Sequence, residues 1–494
     1  LKFLYGFLQL TLIMSLTFNN FVSAAGLAAH EWQQQAFDFC NDNEQATNPY
    51  LGMRGGLIAD EMGLGKTIVM LGLCACNEVK STLIVLPTAL IQQWKSQLTS
   101  FYEKASIHQT VLVIHGAGAH KISETQVDSA NIVLTTYGTM SSSNAIHSRR
   151  FSFKKWNRII YDEAHHMRNT STNSYKAAIA LKSDAVWLVT GTPINNGVND
   201  FWNIMQIVGI PDEFNRDSSE DVRKLLEKFV IKRTKKKVGL DIPGIIIHNQ
   251  VVPWLSEEER TIAYNINAMI KLERATSFDD EDLISDDTDA ENKEYIVPEK
   301  YKTIVKGQGA ILALMIRAKQ SCTCPRIITD TFSSLIDGNV TSSKITHVTN
   351  TILNENNNGR KKLVFCNFNQ EITTMYDILS KQYSVGIING AVSATERNNL
   401  MTSVDIDVLI LQIQSCCEGL NLQQYSEIYF VSPSWNPCVE DQAIARAHRV
   451  GQTQCVDVYR FTMEDFDDNE NIENYSKSVQ ETKREIANDM YNNM

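Results

Sequence analysis

The chain has 494 residues, 43% of them hydrophobic and 21% charged, with a net charge of -11. That length supports roughly two to four cores of ordinary composition. The acidic balance excludes a nucleic-acid binder acting through overall charge, though not one with a local basic cleft. The 10 cysteines show no repeated metal-ligand spacing, because Cys322-Thr-Cys324 and Cys416-Cys417 lack His or Cys partners at zinc-finger distances. Reduced thiols in an intracellular protein are the expectation.

Residues 1–26 have the layout of a secretory leader: Lys2, an apolar run from Phe3 to Leu16, and the small-residue site Val22-Ser-Ala24. Export conflicts with the nucleotide chemistry read below. The segment is therefore expected to be a leader outside the mature protein, with Met14 a candidate start, and the protein is not expected to be secreted. No later apolar run approaches the ~20 residues that span a membrane.

Glu31–Phe39 reads as a partly buried helix carrying Trp32, Phe37 and Phe39. Gln33 is a candidate for an adenine edge, since its amide both donates and accepts; a solvated helix glutamine is the alternative. Next, Gly55–Thr67 runs from an apolar strand through the glycines Gly63 and Gly65 to Lys66 and Thr67, then into an apolar helix. Backbone N–H groups of such a turn, at a helix N-terminus, cradle phosphates. Lys66 would reach the β- and γ-phosphates of ATP, and Thr67 would ligate Mg²⁺. The usual pattern has a further glycine six residues before the lysine, where this chain has Asp60.

Strands are expected at 81–87, 111–115, 131–137, 158–161 and 185–189, with a helix at 89–98. Continuous apolar strands separated by helices mean a parallel sheet covered on both faces, with ligands at the strands' carboxyl ends. Two polar clusters fall there, Asp162-Glu-Ala-His165 and Thr190-Gly-Thr-Pro193. Asp162 can hold Mg²⁺, and Glu163 can orient and deprotonate an attacking water. His165, Thr190 and Gly191 are placed to couple nucleotide state to a ligand bound across the lobe. The first lobe is expected at 27–235.

Over 236–342 the pattern loosens into a helical and acidic insertion. The basic run Lys232–Lys237 reads as an import signal, a phosphate contact or a solvated helix end. The acidic run Asp279–Glu291 reads as disordered and solvated. A second alternating lobe is expected at 343–465, with strands at 363–366, 385–388, 408–411, 427–431 and 456–460. In it, a helix over Val439–Arg449 would carry Gln442, Arg446 and Arg449 on one face. Two arginines on such a face are what a γ-phosphate in the other lobe requires. Residues 466–494 read as an acidic polar tail.

Together these motifs resemble the Swi/Snf-type ATPases of helicase superfamily two, from about Gln33 to Phe461. The resemblance rests on Asp60–Thr67, Leu86-Pro87 with Trp94, Thr135-Thr-Tyr137, Asp162–His165 and Thr190–Ile194. It continues through Leu363–Cys366, Gly419-Leu-Asn-Leu422, Pro433-Ser-Trp-Asn-Pro437 and Asp441–Gln452. The last two are the most family-specific. Phe229–Lys235 is similar to the family's segment leaving the first lobe, which accounts for the basic run without an import signal.

The resemblance implies an α/β fold of two tandem RecA-like parallel-sheet lobes with a helical insertion between them. It implies a DNA-stimulated, Mg²⁺-dependent ATPase that moves on double-stranded DNA and remodels nucleosomes or other DNA-bound proteins. A strand-separating helicase and a non-catalytic DNA-binding regulator are the alternatives. Trp94, Thr135, Gly419, Asn421 and Trp435 become expected DNA-contact or coupling residues. Localisation would be nuclear, in the host nucleus if the chain is viral, and otherwise cytoplasmic; the compact form resembles the baculovirus global transactivator-like proteins. Three positions depart from the pattern: Cys416-Cys417 in place of two glycines, Asn195 where Gln is usual, and Cys324 where His is usual. At the first of these, added Cβ atoms restrict the loop.

Overall fold

The computed structural model describes residues 16–142, 150–277, 310–331, 342–355, 358–416, 420–467 and 469–492. The start of the expected leader, the acidic run 279–291, Cys417 and Gly419 lie outside them. The chain divides into two compact units, residues 1–241 with 483–494, and residues 242–482.

In the first unit, strand β2 (Thr82–Leu86) shows why the sheet is parallel. Leu83 and Val85 enter one hydrophobic cluster while Ile84 and Leu86 enter another. Both faces are covered, so the strand is apolar throughout. The remaining strands are β1 (Gly55–Ile58), β3 (Val111–Ile114), β4 (Ile132–Thr136), β5 (Trp156–Asp162), β6 (Ser183–Val189) and β7 (Val230–Ile231). They form a sheet in the order β3-β4-β2-β5-β6-β1-β7, with every pairing parallel. The carboxyl ends of β5 and β6 deliver Asp162 and Thr190 side by side, through the register Asp162↔Val189.

One buried charge stands out on β5. Arg158 is 0% exposed, and its Nε donates to Glu44 Oε1 at 2.6 Å. The same carboxylate accepts from Trp187 Nε1 at 2.8 Å and from Asn77 Nδ2 at 2.7 Å. Removing one partner of a buried pair strands the other charge. Arg158→Met is therefore expected to destabilise the first unit by about 3–5 kcal/mol in urea unfolding. Replacing Arg158 and Glu44 together by apolar residues should cost far less.

The described part of the expected leader has structure of its own. Helix α1 (Phe18–Ala24) is capped by Thr17, whose side chain accepts from the Asn20 N–H. Its Phe18, Phe21 and Val22 are buried in the first unit's core. Phe18 stacks on Phe37 with ring centroids 5.0 Å apart. A Cβ at Gly72 would meet the Phe18 ring at 2.5 Å. Phe37 lies on helix α2 (Glu31–Gln45) and Gly72 on helix α3 (Lys66–Cys76). The apolar pattern that reads as a leader is thus, from Phe18 onward, a helix packed on the two helices that carry Gln33 and Lys66.

The second unit holds a six-stranded sheet in the order β10-β11-β9-β12-β13-β8, again all parallel. Its strands are β8 (Ile245–Val252), β9 (Lys362–Cys366), β10 (Val385–Ile388), β11 (Val408–Gln412), β12 (Glu427–Phe430) and β13 (Val456–Met463). Strand β8 comes from the expected insertion and pairs with β13 along its whole length. Helices α4 (Glu257–Ser277) and α5 (Ala310–Thr323) of the same insertion share a core with the sheet, through Ile262, Ile266, Leu314 and Ala318 against Val364 and Tyr429. The expected tail contains a helix, α7 (Ile472–Asn492), which follows α6 (Pro437–Ala447). Its pattern escapes a hydrophobicity reading because Glu473, Ser476 and Gln480 are its buried positions along with Ile472. Among the described residues no helix is long and apolar enough to cross a membrane.

Candidate active site

The phosphate loop owes its shape to two glycines in left-handed backbone, Gly63 at φ 93° and Gly65 at φ 85°. Lys66 then begins α3. A Cβ at Gly65 would come within 2.2 Å of Gln33 Nε2. Gln33 is buried, and its Nε2 donates to Leu64 O at 3.2 Å. Its Oε1 is also buried and accepts no hydrogen bond among the described residues. An amide oxygen left open beside a glycine turn suits a ligand that brings an N–H, as adenine does. Lys66 Nζ lies along the loop, donating to Asp60 O at 2.7 Å, with Thr67 half-buried beside it. These residues fit a nucleoside triphosphate with Mg²⁺.

Asp60, the departure from the usual loop pattern, has its own work. Its Oδ1 accepts from Arg233 N at 2.9 Å and from Arg233 Nε at 3.1 Å. Glu61 accepts from Lys235 N at 2.8 Å and pairs with Lys235 Nζ at 3.3 Å. The two acids therefore tie the phosphate loop to the segment after β7, which is the role of the basic run that the sequence leaves open.

At the end of β5, Asp162 is buried and accepts from Trp94 Nε1 at 2.8 Å. Burial, followed by the neighbouring Glu163 charge, raises the Asp162 carboxyl to about 7, with Trp94 and Lys66 acting in the opposite sense. Glu163 sits in left-handed backbone at φ 51°, a conformation costly for a side-chain-bearing residue. Its Oε2 lies 3.3 Å from His165 Nδ1, and that nitrogen is 3.2 Å from Thr190 Oγ1. A Cβ at Gly191 would come 2.8 Å from Met62 Cγ and 3.4 Å from Lys66 Nζ. The structure thus brings Lys66, Asp162, Glu163, His165, Thr190 and Gly191 into one constellation.

Two of the expected DNA-contact or coupling residues have internal partners. Trp94, at 1% exposed, lies under the sheet's end holding Asp162. Thr135 is fully buried and donates to Ile114 O at 3.0 Å.

In the second unit, Asn436 caps α6 by accepting from Cys438 N at 3.0 Å, and Pro437 supplies the pre-set first turn. Gln442 is buried and Arg446 half-buried. Arg449 is not on the helix, which ends at Ala447 with His448 as its cap. His448 Nε2 is 2.8 Å from Pro243 O, and Gly451 turns the chain at φ 97°. Burial and the Arg446 charge lower the proton affinity of the Arg449 guanidinium. The two arginines act on each other electrostatically although they do not share a helix face. Asn421 is exposed, and Trp435 packs half-buried on the core with Lys319 Nζ 5.2 Å from its ring.

Residues 32–327 match the SNF2-related domain, and residues 343–451 match the helicase conserved C-terminal domain. The chain belongs to the SNF2-related family. It is a helicase-type ATP hydrolase. A probable global transactivator of Orgyia pseudotsugata multicapsid polyhedrosis virus is 26% identical over 93% of this chain and 91% of its own. The putative ATP-dependent helicase/translocase YwqA of Bacillus subtilis is 26% identical over 82% of this chain, which spans only 44% of that protein. The DNA repair protein RAD5 of Candida albicans is 25% identical over 88% of this chain and 56% of its own.

Gln452 closes the Asp441–Gln452 motif of this SNF2-related chain, and the sequence alone gives it no role. It is buried, and its Nε2 donates to Gln423 O and Tyr425 O, both at 3.0 Å, and to Ala447 O at 3.3 Å. Its Oε1 accepts from Thr453 N and Gln454 N. It fastens the end of α6 just beyond Arg446. A buried Gln that follows Gly451 at the end of a charged helix is the signal that marks it.

Proposed function

We propose that this chain is a Mg²⁺-dependent ATPase stimulated by double-stranded DNA, along which it translocates, shifting nucleosomes or other DNA-bound proteins in transcription or repair. The observation that carries the reading is the contiguous path Glu163–His165–Thr190–Gly191–Lys66. It joins the water-activating carboxylate to the phosphate lysine through groups that can respond to a ligand across the lobe. Gln33 reads the adenine edge, and Lys66 neutralises the β- and γ-phosphates. Thr67 and Asp162 hold Mg²⁺, which neutralises charge on the phosphate oxygens. Glu163 orients the attacking water and takes its proton. Arg446 and Arg449, with Gln442 on the same segment, stabilise charge on the transferred group. Asn421 and Gly419 serve as DNA contacts, and Trp435 as a coupling residue. Contacts to the phosphate backbone make binding salt-dependent and nearly indifferent to sequence. Action on chromatin would require a nuclear location, in a host nucleus if the chain is viral; otherwise the location is cytoplasmic.

The test is ATP turnover with and without duplex DNA, alongside a strand-displacement assay. Duplex should stimulate turnover several-fold with no strand separation. Absence of stimulation, or Lys66→Ala turning over as fast as the unaltered chain, would overturn the reading.

Trp94→Phe gives a narrower test. The ring still fills its site, but Asp162 loses its donor, an arrangement that holds metal ligands in place. The Mg²⁺ concentration for half-maximal turnover is expected to rise about 10-fold or more. An unchanged Mg²⁺ titration would remove Trp94 from the site.

A further inference from the structure

The loop between β12 and α6 is held by two helices, α5 and α7. Helix α7 lies wholly beyond the matched residues 32–327 and 343–451. It is nevertheless firmly rooted. Asn471 Oδ1 accepts from Glu473 N at 2.8 Å and from Asn474 N at 3.1 Å, while its Nδ2 donates to Met463 O at 2.7 Å. The Glu473 carboxylate, fully buried, pairs with the equally buried Lys344 and accepts from Met463 N at 2.9 Å.

Two turns further on, Gln480 is 4% exposed and spends its amide on one place. Its Nε2 donates to Ser434 O and, at 3.1 Å, to Glu440 Oε1. Glu440 Oε1 also accepts from Ser434 N at 2.9 Å, and its Oε2 accepts from Arg460 Nε at 3.0 Å. From the other side, Lys319 Nζ on α5 donates to Pro433 O, and Thr323 Oγ1 meets Ser432 Oγ at 2.7 Å. The turn that starts the arginine helix is therefore gripped by one side chain from α7 and two from α5. Glu440 stands in the first turns of α6, and Arg446 lies six residues beyond it on the same rigid element, about 9 Å along the axis.

We propose that Gln480 is a positioning residue for ATP hydrolysis: it fixes the Ser434–Glu440 turn and so sets where α6 presents Arg446. This rests on the assignment of Arg446 to the transferred phosphate. A buried amide bonded at once to a carbonyl and a carboxylate admits little displacement, since moving either leaves a buried group unsatisfied. A shift of about 1 Å in a catalytic group can cost about 10²-fold in rate.

The experiment compares Gln480→Leu in two backgrounds, the unaltered chain and Arg446→Lys, with DNA-stimulated turnover as the readout. In the unaltered chain kcat is expected to fall about 10–100-fold, with KM for ATP changed less than twofold. In the Arg446→Lys background the same change should add less than threefold, because the geometry it protects is already lost. Lys319→Met, which loosens the same turn from α5, should reproduce the pattern and serves if Gln480→Leu does not fold. Wild-type turnover in Gln480→Leu, an equal loss in both backgrounds, or a loss confined to KM would each overturn the proposal. Failure of the unaltered chain to respond to DNA would instead count against the proposed function, so the two outcomes are separable.

Discussion

Glu163→Gln is expected to lower DNA-stimulated ATP turnover about 10²–10⁴-fold, the usual worth of a positioned general base, while ATP binding stays within a few-fold of normal. The argument starts at the backbone. A glutamate at φ 51° and ψ 50° costs free energy, and such strain persists where the surroundings over-determine it. Here those surroundings are the Asp162 carboxylate, which accepts the Glu163 N–H at 3.0 Å, and His165, 3.3 Å from Glu163 Oε2. Glutamine keeps the shape and the fold but has no lone pair basic enough to accept the water's proton. Binding rests on Lys66, Gln33 and the glycine turn, none of which the substitution touches. The check is a pair of measurements, equilibrium binding of a fluorescent ATP analogue and steady-state turnover. A parallel loss of binding and turnover would show that Glu163 holds the ground state rather than the reaction.

What the sequence makes legible follows from what a local pattern can encode. Strands buried on both faces, such as β2 and β9, are largely apolar runs, and the polar ends of β5 and β6 at Asp162 and Thr190 announce the site. Family membership of most of the chain was legible for the same reason, because the motifs sit at those ends. Features decided by distant partners were not. Asp60 looks like a blemish in a phosphate loop until Arg233 arrives from 173 residues away. Trp94 enters only as an expected DNA-contact or coupling residue because nothing nearby reveals that its indole meets Asp162, 68 residues on. Spacing alone put Arg449 on a helix that in fact stops at Ala447, where the His448 N–H closes the last turn on Ile444 O and its ring Nε2 lies 2.8 Å from Pro243 O. At the two ends of the chain the packing is hidden for opposite reasons. Phe18 and Phe21 are apolar enough to imitate a leader, whereas α7 buries polar groups and so imitates a solvated tail.

Arg446→Ala is expected to cost about 10³-fold or more in turnover, in line with other arginines that act on a transferred phosphoryl group, which is about 4 kcal/mol of transition-state stabilisation. ATP affinity should be nearly unchanged, because the residues proposed to bind the ground state belong to the first unit. Arg446→Lys should recover only a small part. An ammonium is a single point charge on a flexible stem and cannot reproduce a planar fork held in one orientation. The orientation is what the fold invests in: Arg446 O accepts from Leu422 N at 3.0 Å, and Gln452 fastens the adjoining Ala447. Arg449 supplies a second observable. Its charge is opposed by burial and by the nearby Arg446, so an anionic phosphate beside it would be a favourable partner. If the two arginines act as one unit, the double alanine variant should lose little more than Arg446→Ala alone. Fully multiplicative losses would mean that they serve separate steps, and turnover within fivefold of the unaltered chain would remove Arg446 from the reaction.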